Sequence, residues 1–347
     1  MITSGAVPVV SVIIPTFNRA NLVKRAIQSV LAQSYPYYEV IVADDGSTDE
    51  TATVLERLST ENPERVRYLR LPHSGRSSTR NQAILKARGN YIAFLDSDDV
   101  YYPYTLQVQV DKLKANPDAG MVYGPVFIVD TQGNHIHTFE AGSSCWIYRQ
   151  IAFFEPLTIV LSSVMVHRKV LDTVGGFDEG MDRFEDTDMW RRISKQFQIL
   201  AIETPLCQNT LHDGNRLGDP MVEYQAVQYY VNKIFTEDKG EGRHFLHRSA
   251  ANLFIRYGIA VWDNTHGCVG FASRFGWRAF LYWPFDLRIY FLFIPKCVWK
   301  PLKGIYRLSN GISQLICRQS LGEILQKISL PTYQKFQRKY QRLLDID

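Results

Sequence analysis

The sequence predicts an α/β fold built on a mostly parallel sheet with helices on both faces, followed by a helical C-terminal region. Three observations carry this. Over roughly the first hundred residues, short apolar, β-branched runs alternate with segments whose apolar residues recur at helical spacing. Polar clusters stand at the ends of successive predicted strands, which is where open parallel sheets bind ligands. From about residue 223 the alternation gives way to helical, aromatic sequence.

Residues 9–14 are the first apolar run, bounded by Pro15, and read as a buried strand. Leu22, Ala26, Ile27, Val30 and Leu31 then follow at helical spacing, and residues 38–43 give a second strand. Ser47-Thr48-Asp49-Glu50 fits a capping box ahead of a helix striped by Val54, Leu55 and Leu58. Residues 66–71 read as a third strand and 79–88 as a helix, with Gly89 at the position of a left-handed C-terminal cap. Residues 91–95 form a fourth strand that runs into Asp96-Ser97-Asp98-Asp99. After Pro103 the pattern weakens. Residues 121–129 and 159–166 read as strands and 134–144 as a polar loop. Residues 184–193 read as a helix with Asp188, Arg191 and Arg192 on its polar positions. There is no internal repeat and no low-complexity linker.

At 347 residues the chain is long for one domain and short for two large ones, and 46% hydrophobic content supports a packed core. The sequence opens without a basic segment followed by an apolar run, so no signal peptide is expected. No stretch reaches the roughly 18 apolar residues that span a bilayer. The expected location is the cytoplasm, with peripheral attachment to the inner face of the membrane as a variant. Cys145, Cys207, Cys268, Cys297 and Cys317 are scattered and odd in number, which suits reduced thiols better than zinc or disulfides. The net charge of +4 conceals an asymmetry. From residue 267 onward there are 13 Lys and Arg against 4 Asp and Glu; before it, 26 against 31. A basic tail suits an anionic partner, and an ordinary solvated basic face would look the same.

The polar clusters carry the chemistry. Three carboxylates in Asp96-Ser97-Asp98-Asp99 repel one another, and a divalent cation bridging to a diphosphate would relieve this; Mg²⁺ and Mn²⁺ suit carboxylate oxygens and keep positions open for phosphate. An acidic helix N-terminus would show the same residues. Asp45, in Asp44-Asp45-Gly46-Ser47, can accept from a base N–H or a ribose hydroxyl, or make an Asx turn. Thr16, Phe17 and Arg19 follow the first strand; Phe17 suits stacking on a base and equally suits a core. Arg76 and Arg80 suit phosphate or a helix surface. Glu185-Asp186 offers a base for an acceptor hydroxyl, or simply an exposed helix start. His212 suits a late metal ligand, a phosphate contact or a solvated loop.

Val10-Ser11-Val12-Ile13-Ile14-Pro15-Thr16-Phe17-Asn18-Arg19 resembles the opening strand of family 2 glycosyltransferases. Asp44-Asp45-Gly46-Ser47-Thr48-Asp49 resembles the second-strand motif of that family, and Arg80-Asn81 its Ala-Arg-Asn segment, with Thr79 in place of Ala. Asp96-Ser97-Asp98-Asp99 matches its D-x-D motif; Gly175-Gly176-Phe177-Asp178 and Glu185-Asp186-Thr187-Asp188 match its acceptor-side segments. Order and spacing agree over residues 9–216. The resemblance implies a Rossmann-like GT-A fold, with residues 1–222 catalytic (a nucleotide half to about 103, an acceptor half to 222) and 223–347 a helical, basic, aromatic region. It implies an inverting, hexosyltransferase-type reaction with a nucleotide-sugar donor, by default a UDP-sugar, and a glycan or lipid-linked acceptor. The nucleobase would lie near Pro15, Phe17 and Asp45, with Thr16, Arg19 and Arg80 close to the nucleotide. Asp96 would face ribose or metal, Asp98 would be the main ligand of Mn²⁺ or Mg²⁺ and His212 a further one. Asp186 would be the base, with Glu185, Asp99 and Asp188 in acceptor-side or supporting positions.

The Gln-x-x-Arg-Trp motif of processive members is absent, so transfer of a single sugar is expected. Residues 280–299 interleave aromatic residues with Arg288, Lys296 and Lys300, which suits a membrane interface, packing on the catalytic domain or a dimer contact. No nucleic-acid partner is expected. A dinucleotide oxidoreductase would need G-x-G-x-x-G where Pro15-Thr16-Phe17-Asn18-Arg19 stands. A nucleotidyltransferase would need a Gly- and Lys-rich phosphate loop. A catalytically silent nucleotide-sugar binder would tend to lose the base or the metal cluster, and both are intact.

Overall fold

The computed structural model describes residues 9–142, 144–153, 159–211, 219–264, 269–284, 286 and 288–293. Two compact units emerge: Met1–Ile151 with Pro156–Arg216, and Ala152–Glu155 with Leu217–Asp347.

In the first unit, β1 (Val10–Thr16) pairs in parallel with β2 (Tyr38–Asp44) on one side and β4 (Tyr91–Phe94) on the other, and β3 (Val66–Arg70) extends the sheet in parallel from β2. Beyond β4, β9 (Met165–His167) runs antiparallel to both β4 and β6 (Ala119–Tyr123), and β10 (Gln198–Ala201) pairs in parallel with β6. The seven strands stand in the order β10-β6-β9-β4-β1-β2-β3, with β9 alone reversed. Side chains of β1 alternate between two cores. Val10, Val12 and Ile14 meet Val23, Ala26, Ile27 and Val30 of α1 (Ala20–Leu31) and Leu55 and Leu58 of α2 (Thr51–Glu61). Ile13 faces the other way, with Ala83 of α3 (Arg76–Lys86) and Met189, Trp190 and Ile193 of α7 (Glu185–Ser194). Period-two strands with apolar-striped helices on each face give the α/β architecture that the sequence predicts.

Several local expectations are corrected. Gly89 is no left-handed cap, since α3 ends at Ala87 in extended conformation. Gly89 instead sits against β1, where a Cβ would lie 2.6 Å from the Ser11 N. Its N–H donates to Ser11 Oγ, which donates in turn to buried Glu39. Helix α3 starts at Arg76, a turn earlier than periodicity suggests, because Arg76, Ser77 and Ser78 are polar. Residues 121–129 are two strands, β6 and β7 (Val126–Val129), split between two sheets at Gly124-Pro125. The polar stretch 134–144 contains an exposed strand, β8 (His135–Phe139), paired to β7. Residues 159–166 hold a 3₁₀ turn, Leu161–Ser163, before β9 begins. The second sheet has the order β5-β11-β7-β8, where β5 is Val100–Tyr101 and β11 is Cys207–Thr210.

The second unit is helical in its described part. Asp219 caps α8 (Pro220–Glu237) by accepting from the Met221 N–H. Helices α9 (Arg243–Asn264) and α10 (Val269–Tyr282) pack closely at Gly258, where a Cβ would meet Phe275 Cβ at 2.7 Å. Phe254 stacks on Tyr282 nearby, and Arg288, at the start of α11 (Arg288–Phe291), is buried against Asp286 and Asn252. Residues 294–299 of the basic aromatic stretch lie outside the described residues. Among the described residues no helix is long and apolar enough to cross a membrane.

Candidate active site

The site grows from the carboxyl ends of β1, β2 and β4. After Thr16 the chain turns through Asn18, whose φ of 51° lies in the left-handed region that Asn tolerates better than most residues. The Asn18 N–H donates to Ser47 Oγ (2.9 Å) and its Oδ1 accepts from the Thr48 N–H (2.8 Å). The Arg19 N–H donates to Thr51 Oγ1 at 3.0 Å. The loops after β1 and β2 are thereby fastened together, and Ser47 is spent on that junction. The expected capping box does not form; Asp49 Oδ1 accepts from the Thr51 N–H instead. Asp45 holds the loop after β3: its carboxylate accepts from the N–H groups of Ser74 (2.7 Å) and Gly75 (3.1 Å) and lies 2.9 Å from His73 Nδ1. Phe17 is 41% exposed and stacked on His73 with ring centroids 4.5 Å apart, so it is a surface aromatic at the cleft and no part of the core.

At the end of β4 the carboxylates separate. Asp99 turns inward, where Ser162 Oγ donates to it and Asn209 Nδ2 lies 3.4 Å away. Burial, then the charges of Asp96 and Asp98, push its carboxyl well above the usual range. Ser162 also accepts from the Asp96 N–H, so one hydroxyl shapes the whole turn. Asp98 Oδ2 is 2.8 Å from Arg19 Nη1, which is also 3.4 Å from Ser97 Oγ. Asp96 Oδ1 accepts from Arg80 Nη2 at 2.8 Å, and the same guanidinium donates to Glu185 Oε1 at 3.1 Å. Arg80 is only 4% exposed. Burial disfavours its charge, but Asp96 and Glu185 outweigh that and raise its pKa above the ordinary value. Arg76 approaches Glu185 at 3.6 Å.

The repulsion expected among Asp96, Asp98 and Asp99 is therefore relieved by separate partners. Among the described residues no three His, Cys, Asp or Glu side chains converge as a metal site. Asp96 and Asp98 do face the cleft. A pair of carboxylates with positions left for phosphate and water is a donor set that fits Mg²⁺ or Mn²⁺. His212 lies outside the described residues.

On the far side of Arg80, Asn81 reads the backbone of the Gly-Gly-Phe segment. It donates to the Phe177 carbonyl (2.9 Å) and accepts from the Phe177 N–H (2.8 Å), while a Cβ on Gly176 would meet its Oδ1 at 2.4 Å. Asp188 is fully buried and paired with Arg191 and Arg192, each at 2.8 Å. Arg192 donates to the carbonyls of Val174, Gly175 and Gly176, so these polar positions of α7 anchor the segment rather than face solvent. Asp186, in the first turn of α7, is half-buried, and its Oδ1 accepts from the Thr187 N–H at 2.6 Å. Burial, then the charge of Glu185, raise its carboxyl to about 6 against the opposing pull of Thr187 and Arg80.

These elements enclose a cleft of about 460 Å³. Pro15, Thr16, Phe17, Arg19, Asp45, Arg80, Asp96 and Asp98 all line it. Asp99, Glu185, Asp186 and Asp188 are not on its wall; Glu185 joins it through Arg80. Arg183 and Asn209 also line it, and His73 and Ser162 shape it, although nothing in their local sequence marks them. The hydroxyls of Thr16 and Thr79, both on the wall, are buried with no partner among the described residues.

Residues 11–174 match the sequence model of glycosyl transferase family 2. An uncharacterized glycosyltransferase of Rickettsia conorii is 33% identical over 207 residues, covering 58% of this chain and 34% of that protein. The chain spans about a third of the length of the first curated relatives it matches. The crystal structure of S. aureus TarS 1-349 in complex with UDP-GlcNAc matches with a TM-score of 0.60 at 18% identity, over 82% of this chain and 86% of that one. A mannosyltransferase from Pyrobaculum calidifontis, in complex with GDP-Man and Mn²⁺, matches with a TM-score of 0.55 at 19% identity, over 89% and 84%. The fold is that of the GT-A glycosyltransferases. The strand-end clusters gathered on one cleft thus stand largely within the segment, residues 11–174, that matches glycosyl transferase family 2.

Proposed function

We propose that the protein is an inverting glycosyltransferase that moves one sugar from a nucleoside-diphosphate sugar to a hydroxyl of a glycan or lipid-linked acceptor. The observation that carries this reading is the chain of ion pairs Asp96–Arg80–Glu185, which links the cleft wall to the residue beside Asp186. The base-binding end is Phe17, His73 and Asp45. Arg19, Arg76 and Arg183 give the cleft cationic walls for a diphosphate. Asp98, with Asp96, would hold Mn²⁺ or Mg²⁺, which as a Lewis acid supports the departing diphosphate. Asp186 takes the proton of the acceptor hydroxyl as that oxygen bonds the anomeric carbon. The diphosphate leaves from the opposite face with the electron pair of the broken C–O bond, and one displacement inverts the centre. A carboxyl raised to about 6 is well matched to a base that must be ionised near neutral pH yet still attract a proton.

UDP-sugars are the first donors to test. The structural neighbours carry a uridine and a guanosine nucleotide respectively, so GDP-sugars belong in the same screen. Mn²⁺-dependent thermal stabilisation by one nucleotide-sugar, with slow release of its nucleoside diphosphate, is the expected result. If none stabilises the protein or is cleaved, with or without Mn²⁺, the reading is wrong.

The acceptor side of the reading extends to a membrane surface. Arg274, Trp277 and Leu281 share one exposed face of α10, with Trp277 58% and Leu281 59% exposed, and Tyr290 and Phe293 are exposed in the same unit. An aromatic face with arginines, followed by a basic tail, suits anionic headgroups. The intact protein should float with vesicles containing phosphatidylglycerol and not with pure phosphatidylcholine. Failure to float with either would remove this part of the proposal.

A further inference from the structure

Arg19 and Arg80 hold the two cleft-facing carboxylates in different ways. Arg80 is buried and shared between Asp96 and Glu185, so its departure would strand two carboxylates. Arg19 contacts Asp98 through one Nη at 2.8 Å, and its side chain is 36% exposed. The root of Arg19 is fixed all the same. Its N–H is bonded to Thr51 Oγ1, and Asn18 before it is bonded to Ser47 and Thr48. Arg19 is thus a long arm on an anchored base, with its guanidinium resting on the carboxylate best suited to a divalent ion.

We propose that Arg19 is an exchangeable placeholder cation. In the nucleotide-free protein its guanidinium balances Asp98. When a divalent ion reaches Asp98 with the donor, the guanidinium moves to the donor diphosphate. This rests on the reading that Asp98 takes a divalent ion. A partly exposed ion pair is weak enough for a divalent ion to displace. The planar fork of a guanidinium suits two phosphate oxygens. Arg76 and Arg183 already line the same cleft, so the released group would turn toward a cationic wall made for an anion. The exchange couples the two ligands. Metal on Asp98 frees Arg19 for the diphosphate, and diphosphate on Arg19 frees Asp98 for metal; by linkage each tightens the other.

The test is titration of the full chain with Mn²⁺, followed by electron paramagnetic resonance of the free ion, with and without UDP, and with GDP in parallel. Removing the competitor in Arg19→Ala should tighten binding of Mn²⁺ alone about three- to fivefold, the scale of one partly exposed pair. The same variant should weaken nucleoside diphosphate binding in saturating Mn²⁺ about tenfold, the scale of one charge-assisted contact. Arg19→Lys should stay near the wild type for Mn²⁺ alone and fall between the wild type and Arg19→Ala for the nucleotide, because an ammonium keeps the charge and loses the fork. This reversal of sign between the two ligands is a signature that general loss of structure does not produce. If Arg19→Ala binds Mn²⁺ alone no better than the wild type, or binds the nucleotide equally well, the placeholder role is overturned. If Asp98→Asn keeps wild-type Mn²⁺ affinity, the metal reading itself falls and this inference with it.

Discussion

Replacing Asp186 by Asn is expected to lower sugar transfer by about a thousandfold while nucleotide affinity changes less than about twofold, because the loss is of a general base and not of a donor contact. Two further measurements bind this expectation to the site. The carboxyl is raised to about 6 by burial and by Glu185, so the wild-type rate should climb with pH and level off above an apparent pKa near 6. The same shift has a sign in stability. A carboxyl raised above its ordinary 3.8 favours the protonated folded state, so its contribution is fully present below 3.8 and is lost as pH rises through about 6. At pH 8 the ionised Asp186 is therefore a cost that Asn does not carry. Allowing for its partial exposure, Asp186→Asn should be more stable than the wild type by about 1–2 kcal/mol at pH 8, with the gap closing by pH 4. Full transfer rate in Asp186→Asn would remove the base assignment. An equal or lower melting temperature at pH 8 would remove the account of why its carboxyl is raised.

How much of this was legible in the sequence depends on the range of each interaction. The strands and helices of the nucleotide half were readable because burial imposes a local period: Val10, Val12 and Ile14 face one core and Ile13 the other. The clusters at the ends of β1, β2 and β4 were readable because a parallel sheet brings its carboxyl ends to one edge, and nine of the singled-out residues, Arg76 among them, do line one cleft. What was not legible is pairing across long separations. Arg80 meets Glu185 across 105 positions, and Ser162 meets Asp99 across 63. No periodicity carries such information. The result is that three neighbouring carboxylates looked alike in the sequence and differ in space: Asp99 is turned into the core, Asp96 is locked by a buried arginine and Asp98 is met by a half-exposed one. Polar residues in helices misled for the same reason. Asp188, Arg191 and Arg192 occupy positions that suggest solvent, yet form a buried knot that fixes Gly175 and Gly176.

The largest effect on stability is expected at Arg80. Arg80→Ala removes the cation shared by Asp96 and Glu185, and Glu185 is buried, so the cost should be about 3–5 kcal/mol, read from urea unfolding at neutral pH. Much of that cost is a stranded carboxylate, and Glu185→Gln in the Arg80→Ala background should therefore recover part of it. Arg80→Lys should recover less than the loss, because one ammonium cannot span two carboxylates as a guanidinium does. The same variants report on Asp186. Arg80 pulls the Asp186 carboxyl down and Glu185 pushes it up. The acid limb of the pH–rate profile should move upward in Arg80→Ala and downward in Glu185→Gln. Opposite shifts from two neutralising substitutions separate electrostatic tuning of the base from general loosening of the cleft, which would move both profiles the same way. If the two limbs move together, or Arg80→Ala unfolds at the wild-type urea concentration, the Asp96–Arg80–Glu185 chain does not link the cleft to the base.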